Sequence, residues 1–265
     1  MENKSNYAVP IAIVLAGIII AGAMYFNDGR PRVEPIPKVD NKTETSLDDL
    51  TPVSATDHLR GNPNAPIIFV EYSDTECPYC KRFQVTMQTI MNSYGKDGKI
   101  SWVYRHFPLD NIHPKTRKEA EATECAGELG GDVSFWSYLD LIYKETPANN
   151  GLDLAKLPEF AKSVGLDVTA FNQCLTSGKY ATRVQADLQG GIKIGIQGTP
   201  FGVMVLRQPL GVEAKKKITE YVATNKLYDS TGKPYVYSSA DGSLIGVSGA
   251  MPVEIISGLI NIILK

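Results

Sequence analysis

Two cysteines, Cys77 and Cys80, lie three positions apart in the segment VEYSDTECPYCKRF. This spacing occurs in redox couples, in one half of a metal site and in short structural disulfides. A structural zinc site usually takes its four ligands from two close pairs, whereas Cys125 and Cys174 are widely separated and the 3 histidines show no paired spacing. A purely structural disulfide within one helical turn would constrain the unfolded chain very little. We therefore predict a redox couple, with no metal and no cofactor.

The local sequence predicts that Cys77 lies at the beginning of a helix. The apolar run IIFVEY, residues 67–72, is typical of a buried strand, and Pro78 suits the first turn of a helix that follows it. The unpaired N–H groups of that turn and the helix dipole favour a thiolate. We therefore expect the pKa of Cys77 to be lowered, which makes it the attacking sulfur. Cys80 lies one turn further along, where a more buried thiol suits the resolving role.

The order of the remaining elements predicts an α/β domain. A second strand at 99–109 completes a β-α-β unit with a parallel pair of strands. An alanine- and glutamate-rich region at about 110–195 predicts a helical insert. A hairpin across Asp241 and Gly242 and a final amphipathic helix over MPVEIISGLINIILK complete a β-β-α unit.

The N-terminal region predicts export. Residues 8–26 carry no charge, and nineteen apolar residues are about enough to cross a bilayer. We expect 1–26 to be a membrane anchor, or a cleaved signal peptide because the small residues at 21–23 form a possible cleavage site. Residues 27–56 have the composition of a flexible linker, and 57–265 form the folded domain. Either reading places that domain outside the cytoplasm, where disulfides persist.

The overall charge is nearly balanced, with 27 basic and 29 acidic residues. No stretch interleaves basic and aromatic side chains as single-strand binders do. We therefore expect no nucleic-acid partner.

Several motifs together resemble one known family. The segments FVEYSDTECPYCKRF, RHFPL, ATECAGELG, GLDVTAFNQCL and GIQGTPFGV are similar to those of DsbA-like thiol:disulfide oxidoreductases, which have a thioredoxin fold. The similarity is greatest to membrane-anchored bacterial forms. It spans roughly residues 57 to 206 and resumes at GVSGAMPVEIISGLI.

The resemblance implies a role for each matching position around the cysteines. Cys77 aligns with the nucleophile and Cys80 with the resolving cysteine, and Pro78 and Tyr79 form the dipeptide that tunes them. Glu71 falls where the family often has a buried acid that assists proton transfer around Cys80. The alternative for Glu71 is a solvent-exposed glutamate on an edge strand.

Four further positions take roles from the resemblance. In the pair Thr199-Pro200 the proline is expected to be cis and to pack beside the disulfide, and the backbone of Thr199 is expected to pair with an extended substrate. From the sequence alone, Cys125 and Cys174 could form a disulfide, remain free thiols or form a second redox pair. The resemblance implies that they form a second, structural disulfide.

These observations predict an exported, membrane-tethered oxidoreductase that forms disulfides in cysteine-containing extracytoplasmic proteins. Its expected partner is a quinone-linked membrane reoxidase. The direction of electron flow stays open because the dipeptide is Pro-Tyr rather than the Pro-His of strongly oxidising members. The substrate stays open because residues 207–233 form an insertion that the family usually lacks. The alternatives are a reductase or isomerase fed by a membrane electron donor, and a non-enzymatic tethered binding domain.

Overall fold

The computed structural model describes residues 46–265 and shows a six-stranded sheet flanked by helices. Its elements, in chain order, are β1 (His58–Arg60), β2 (Ile67–Ser73), α1 (Pro78–Ile90), β3 (Ile100–His106), α2 (Thr116–Glu145), α3 (Leu157–Ser163), α4 (Val168–Ser177), α5 (Ala181–Lys193), β4 (Phe201–Leu206), α6 (Val212–Thr224), β5 (Val236–Ser238), β6 (Leu244–Ser248) and α7 (Val253–Ile263). The strand order is β1-β3-β2-β4-β6-β5, and β2 and β3 are the one parallel pair among the described strands.

The thioredoxin fold predicted from the sequence is confirmed. The β2-α1-β3 unit comes first, α2 to α5 form the helical insert, and β4 with the β5–β6 hairpin and α7 complete the sheet and its covering helix. The hairpin turns at Ser239–Ser243, which contains the predicted Asp241 and Gly242. Strand β2 lies inside the sheet with β3 and β4 on either side, which explains its continuous apolar run.

Alternation along β2 divides the core between the two faces of the sheet. Ile67 and Phe69 pack with α1, α6 and α7, together with Trp136 from the insert. Val70 and Tyr72 face the opposite side, where they pack against α5 and Phe107. Glu71 therefore lies on the α1 face of a central strand, not on an edge.

The helical insert has a hydrophobic core of its own. Helix α2 bends at Gly130 and Gly131, and Gly131 has a φ of 66°, a conformation that glycine adopts without strain. The C-terminal half of α2 then packs against α3 and α4, with Tyr138, Phe160 and Phe171 at the centre of the cluster.

Two features differ from the predictions. The predicted linker, 27–56, overlaps a segment that packs on the domain: Leu47 is buried in the core, and Thr51 and Pro52 accept hydrogen bonds from Arg105 through their backbone carbonyls. The first strand predicted from the sequence is at 67–72, whereas the structure has the short edge strand β1 before it. These contacts depend on distant residues, so local composition alone did not indicate them.

The predicted anchor or signal at 1–26, and the linker up to residue 45, lie outside the described residues. Within residues 46–265, no helix has both the length and the apolar character needed to cross a bilayer.

Candidate redox site

Cys77 caps the N-terminus of α1, as the sequence predicts. It has extended backbone angles, Pro78 occupies the first helical turn, and the carbonyl of Cys77 accepts a hydrogen bond from the N–H of Lys81 at 3.0 Å. Cys77 and Cys80 are both free thiols, with exposed fractions of 4% and 0%. The chain therefore presents only a small part of the Cys77 side chain to an incoming molecule.

The two sulfurs have opposite electrostatic environments. The Cys80 thiol donates to the sulfur of Cys77 and, against the cost of burial, lowers the pKa of Cys77 to about 6, with help from Thr199 and from the N–H groups of Cys80 and Tyr79. Burial, and then the neighbouring Cys77 sulfur, raise the pKa of Cys80 well above its ordinary value. At neutral pH, Cys77 is therefore mostly a thiolate and Cys80 a thiol.

The structure brings Thr199 and Pro200 to this site from a distant part of the chain. The peptide bond between them is cis. Antiparallel pairing of β2 with β4 sets Tyr72 opposite Phe201, so the residues just before β4 lie beside the loop that follows β2. The Cys77 thiol donates to the carbonyl of Thr199 at 3.6 Å, and the Thr199 hydroxyl is buried.

Glu71 is fully buried below the cysteine pair. Trp102 Nε1 donates to one carboxyl oxygen of Glu71 at 3.0 Å, and the other oxygen has no hydrogen-bond partner among the described residues. Burial raises the pKa of Glu71 to about 7, with a smaller contribution from Cys77, while hydrogen bonds with Ser73 and Trp102 oppose the rise. Glu71 can therefore exist as either acid or base near neutral pH, the property that proton transfer requires.

Hydroxyl groups that the sequence analysis missed connect Glu71 to Cys80. Ser73 Oγ lies 3.0 Å from the Tyr143 hydroxyl, which lies 3.0 Å from that of Tyr104. Ser73 lies close enough to both groups to lower the pKa of Glu71 and of Cys80, against the larger effect of burial. The spacing of Glu71 and Ser73 on one face of β2 is a signal for the serine, whereas Tyr143 comes from the insert and has no local signal.

Two more buried acids are Glu76, in the loop before Cys77, and Glu119 of α2. Both carboxyl oxygens of Glu76 accept backbone N–H groups, from Gly151 and Leu152, each at 3.1 Å. Glu119 of α2 is also fully buried, and burial, followed by the neighbouring Glu76, raises the pKa of Glu119 to about 9. Glu119 is thus a neutral acid at pH 7, and its two carboxyl oxygens have no hydrogen-bond partner among the described residues.

The remaining sequence-predicted residues lie apart from the sulfurs or at their rim. Tyr79 is 58% exposed, and the guanidinium of Arg82 lies 5.1 Å from the centre of its ring. Cys125 of α2 and Cys174 of α4 form a disulfide with a Cα–Cα distance of 5.8 Å. This bond fixes two helices of the insert and closes a loop of 49 residues, worth about 4 kcal/mol on the chain-entropy model.

Sequence comparison identifies a family and a set of much longer relatives. Residues 53–205 match the family described as Thioredoxin. Relatives include a Na(+)/H(+) antiporter NhaA 1 of Salinispora arenicola, 34% identical over 160 residues, and an NhaA 3 of Salinispora tropica, 32% identical over 206 residues. The matches cover 60% and 76% of this chain but 23% and 30% of the relatives. The chain therefore spans under a third of the length of these relatives.

Solved structures share the fold. Wolbachia pipientis alpha-DsbA1 matches with a TM-score of 0.60 at 23% identity and covers 83% of this chain and 96% of its own. Pseudomonas aeruginosa DsbA2 gives 0.56 at 22% identity, with coverage of 80% and 96%. BdbD from Bacillus subtilis gives 0.52 at 20% identity, with coverage of 68% and 94%.

Proposed function

This chain belongs to the thioredoxin family, and we propose that it is a DsbA-like thiol:disulfide oxidoreductase that forms disulfides in cysteine-containing proteins outside the cytoplasm. The observation that carries the proposed direction is the asymmetry of the two sulfurs. Cys77, at the helix N-terminus, has a pKa lowered to about 6, whereas the pKa of the buried Cys80 is well above its ordinary value.

The reaction begins with the Cys77–Cys80 pair oxidised. A substrate thiolate attacks the Cys77 sulfur, the Cys77–Cys80 bond breaks, and a substrate–Cys77 disulfide forms. Cys80 leaves with the electron pair and takes a proton, for which Glu71, through Ser73, is the nearby source. A second substrate thiolate then attacks the substrate sulfur and expels the Cys77 thiolate. The substrate dithiol loses two electrons, and the cysteine pair gains them.

The lowered pKa favours this direction for two reasons. A low-pKa thiolate is a good leaving group in the second step, and stabilising the reduced form makes the disulfide a stronger oxidant. A reductase built on the same pair would need a less stable Cys77 thiolate. The reduction potential separates these functions: a value of about −120 mV supports the oxidase, and one of about −270 mV supports the reductase.

The direct test is oxidation of a reduced, unfolded protein by the full chain. We expect wild type to restore disulfides and Cys77→Ser to be inactive. The matched control is the double variant Cys125→Ala, Cys174→Ala, which removes the other cysteine pair and should retain the activity while folded. Equal rates for wild type and Cys77→Ser would contradict the proposal and favour a non-enzymatic binding domain.

The location and partners belong to the same proposal. The uncharged stretch at 8–26 supports an anchor that holds the domain at the outer face of the membrane, or a signal that releases it there. Turnover then needs a membrane partner, such as a quinone-linked reoxidase, to accept the two electrons. Mass spectrometry of the N-terminus of the mature protein distinguishes an anchor from a cleaved signal. Ion transport, which the names of the longer relatives describe, is not part of this proposal.

A further inference from the structure

The insertion after β4 forms one wall of a pocket that begins at the redox site. The pocket has a volume of about 340 Å³. Its first wall is the loop at 195–200, which ends in Thr199 and Pro200, and its second is the end of the insertion with the start of β5, including Tyr235 and Tyr237. In the second wall, Asp229 and Lys233 belong to the insertion at 207–233, and Pro234, Tyr235 and Tyr237 follow it.

The pocket lies beside the redox site and shares Thr199 with it. Thr199 lines it, and the Thr199 carbonyl lies 3.6 Å from the sulfur of Cys77. A polypeptide joined to Cys77 through its own cysteine must therefore pass Thr199. The residues that flank that cysteine are then at the mouth of the pocket.

Backbone hydrogen bonds hold the second wall in place. The N–H of Tyr235 donates to the carbonyl of Leu227 at 2.9 Å, and the carbonyl of Tyr235 accepts from Ser248 at 2.8 Å. The Asp229 carboxylate closes the preceding turn by accepting the N–H groups of Thr231 at 2.8 Å and Lys233 at 3.0 Å. The wall is therefore formed before a substrate arrives, which lowers the entropic cost of binding.

The second wall combines two half-buried tyrosines with the charged side chains of Asp229 and Lys233. Tyr235 and Tyr237 are each partly exposed, and Pro234 lies between them and the turn. The ring of Tyr237 lies over Gly246, where a Cβ atom would come within 2.9 Å of it. Aromatic rings held in this way pack well against other large apolar or aromatic side chains.

We propose that this pocket binds an aromatic side chain next to the reacting cysteine of an extended polypeptide substrate. The inference rests on the proposed function for the origin of the polypeptide. Binding in the pocket can be measured from the reactivity of the Cys77 sulfur alone. The pocket thereby makes the enzyme selective for cysteines with an aromatic neighbour. Such neighbours are exposed in unfolded chains and buried in folded ones.

The test measures attack by Cys77 on two peptides, in the full chain carrying Cys80→Ser. The peptides differ only in Phe or Ala beside a cysteine that is blocked by thionitrobenzoate. The Cys77 thiolate attacks the peptide sulfur, the peptide–Cys77 disulfide forms, and the released thionitrobenzoate anion is followed by its absorbance. We expect the Phe peptide to react about tenfold faster, as partial burial of one aromatic side chain predicts.

Three further variants locate the selectivity in the pocket, each made in the Cys80→Ser chain. Tyr235→Ala and Tyr237→Ala should each reduce the Phe-to-Ala rate ratio to about twofold or less. Tyr228→Ala is the matched control, because Tyr228 is a nearby tyrosine in the sequence, is 40% exposed and does not line the pocket. It should keep the full ratio. The ratio cancels any general change in Cys77 reactivity or folding, since both peptides meet the same sulfur.

The outcomes separate this inference from the proposed function. Equal rates for the two peptides overturn the pocket's role, and so does a ratio that survives both Tyr235→Ala and Tyr237→Ala. Either result leaves protein oxidation by the wild-type cysteine pair unaffected. Conversely, a wild-type chain that fails to oxidise reduced protein contradicts the proposed function. The Phe-to-Ala rate ratio then still shows whether the pocket binds an aromatic side chain.

Discussion

Two buried glutamates, Glu71 beneath the cysteines and Glu124 on the other side of β3, are in opposite electrostatic states. Both are almost inaccessible to solvent, at 0% and 5% exposed. Burial raises the pKa of Glu71 to about 7. Burial acts in the same direction on Glu124, but hydrogen bonds from His106 and His58 hold the pKa of Glu124 well below its usual range.

The neighbours account for the difference. The Glu124 carboxylate lies 3.0 Å from His106 Nε2 and 3.2 Å from His58 Nε2, and Arg183 Nε lies 3.8 Å away. Glu71 has an indole N–H, a serine and an unpartnered oxygen instead. A buried carboxyl with cations nearby remains charged and holds elements together, whereas one without them can exchange its proton.

The largest expected effect is on stability, from Glu124→Gln. Removing this charge leaves two histidines and an arginine without their carboxylate, and breaking such a buried set costs about 3–5 kcal/mol. Urea unfolding at pH 7 measures the loss. The control is Glu128→Gln on the same helix, whose 36%-exposed side chain pairs with Lys179 and should contribute at most about 1 kcal/mol. Equal losses of unfolding free energy in the two variants would contradict a special role for the buried, charged Glu124.

The pH dependence of stability should have opposite signs at the two sites. A raised pKa means that Glu71 contributes fully below about pH 4.5 and costs stability as the pH rises to about 7. The free energy of unfolding of Glu71→Gln should therefore rise relative to that of wild type by a few kcal/mol between those pH values. Above about pH 7 the difference should stay constant. The lowered pKa of Glu124 gives wild type an advantage over Glu124→Gln above about pH 4.5, which is lost as the pH falls further. Unfolding of both variants from pH 3 to 9 measures the two curves.

The third prediction concerns catalysis, from Glu71→Gln. Without a group that can exchange a proton near Cys80, the step in which Cys80 leaves should slow by about 10²-fold, the low end for general acid–base catalysis. Stopped-flow oxidation of a reduced peptide measures the rate. Glu119→Gln replaces another buried carboxyl of raised pKa, and it should leave the rate nearly unchanged. A comparable slowing in both variants would mean that Glu71 has no specific role.

The smallest expected effect comes from Thr199→Val, which removes only a hydroxyl group. Thr199 helps to lower the pKa of Cys77, after the larger effect of Cys80. The pKa of Cys77 should therefore rise by about one unit or less, because a nearby hydroxyl dipole that favours the thiolate is lost. Thiolate absorbance as a function of pH measures it. An unchanged pKa would assign the lowered value to Cys80 and the helix N-terminus alone.

Elements that depend on local pattern could be predicted from the sequence. The apolar run of β2, the proline after Cys77 and the Asp241-Gly242 turn each indicated the structure found there. Strand β1 and the packed segment at 46–56 could not be predicted in this way, because their contacts are with β3 and with Arg105, more than 40 residues further along the chain.

The site divides in the same way. The sequence by itself determined the pair of sulfurs and their order on the helix, because a Cys-x-x-Cys motif at a helix start is a local arrangement. Only the tertiary structure decided that Glu71 is buried without a cation, that Tyr143 reaches Ser73 from the insert, and that Tyr235 and Tyr237 line the same pocket as Thr199. A pKa depends on every charge and dipole within a few ångströms, and in this chain folding brings those groups together from positions far apart in the sequence.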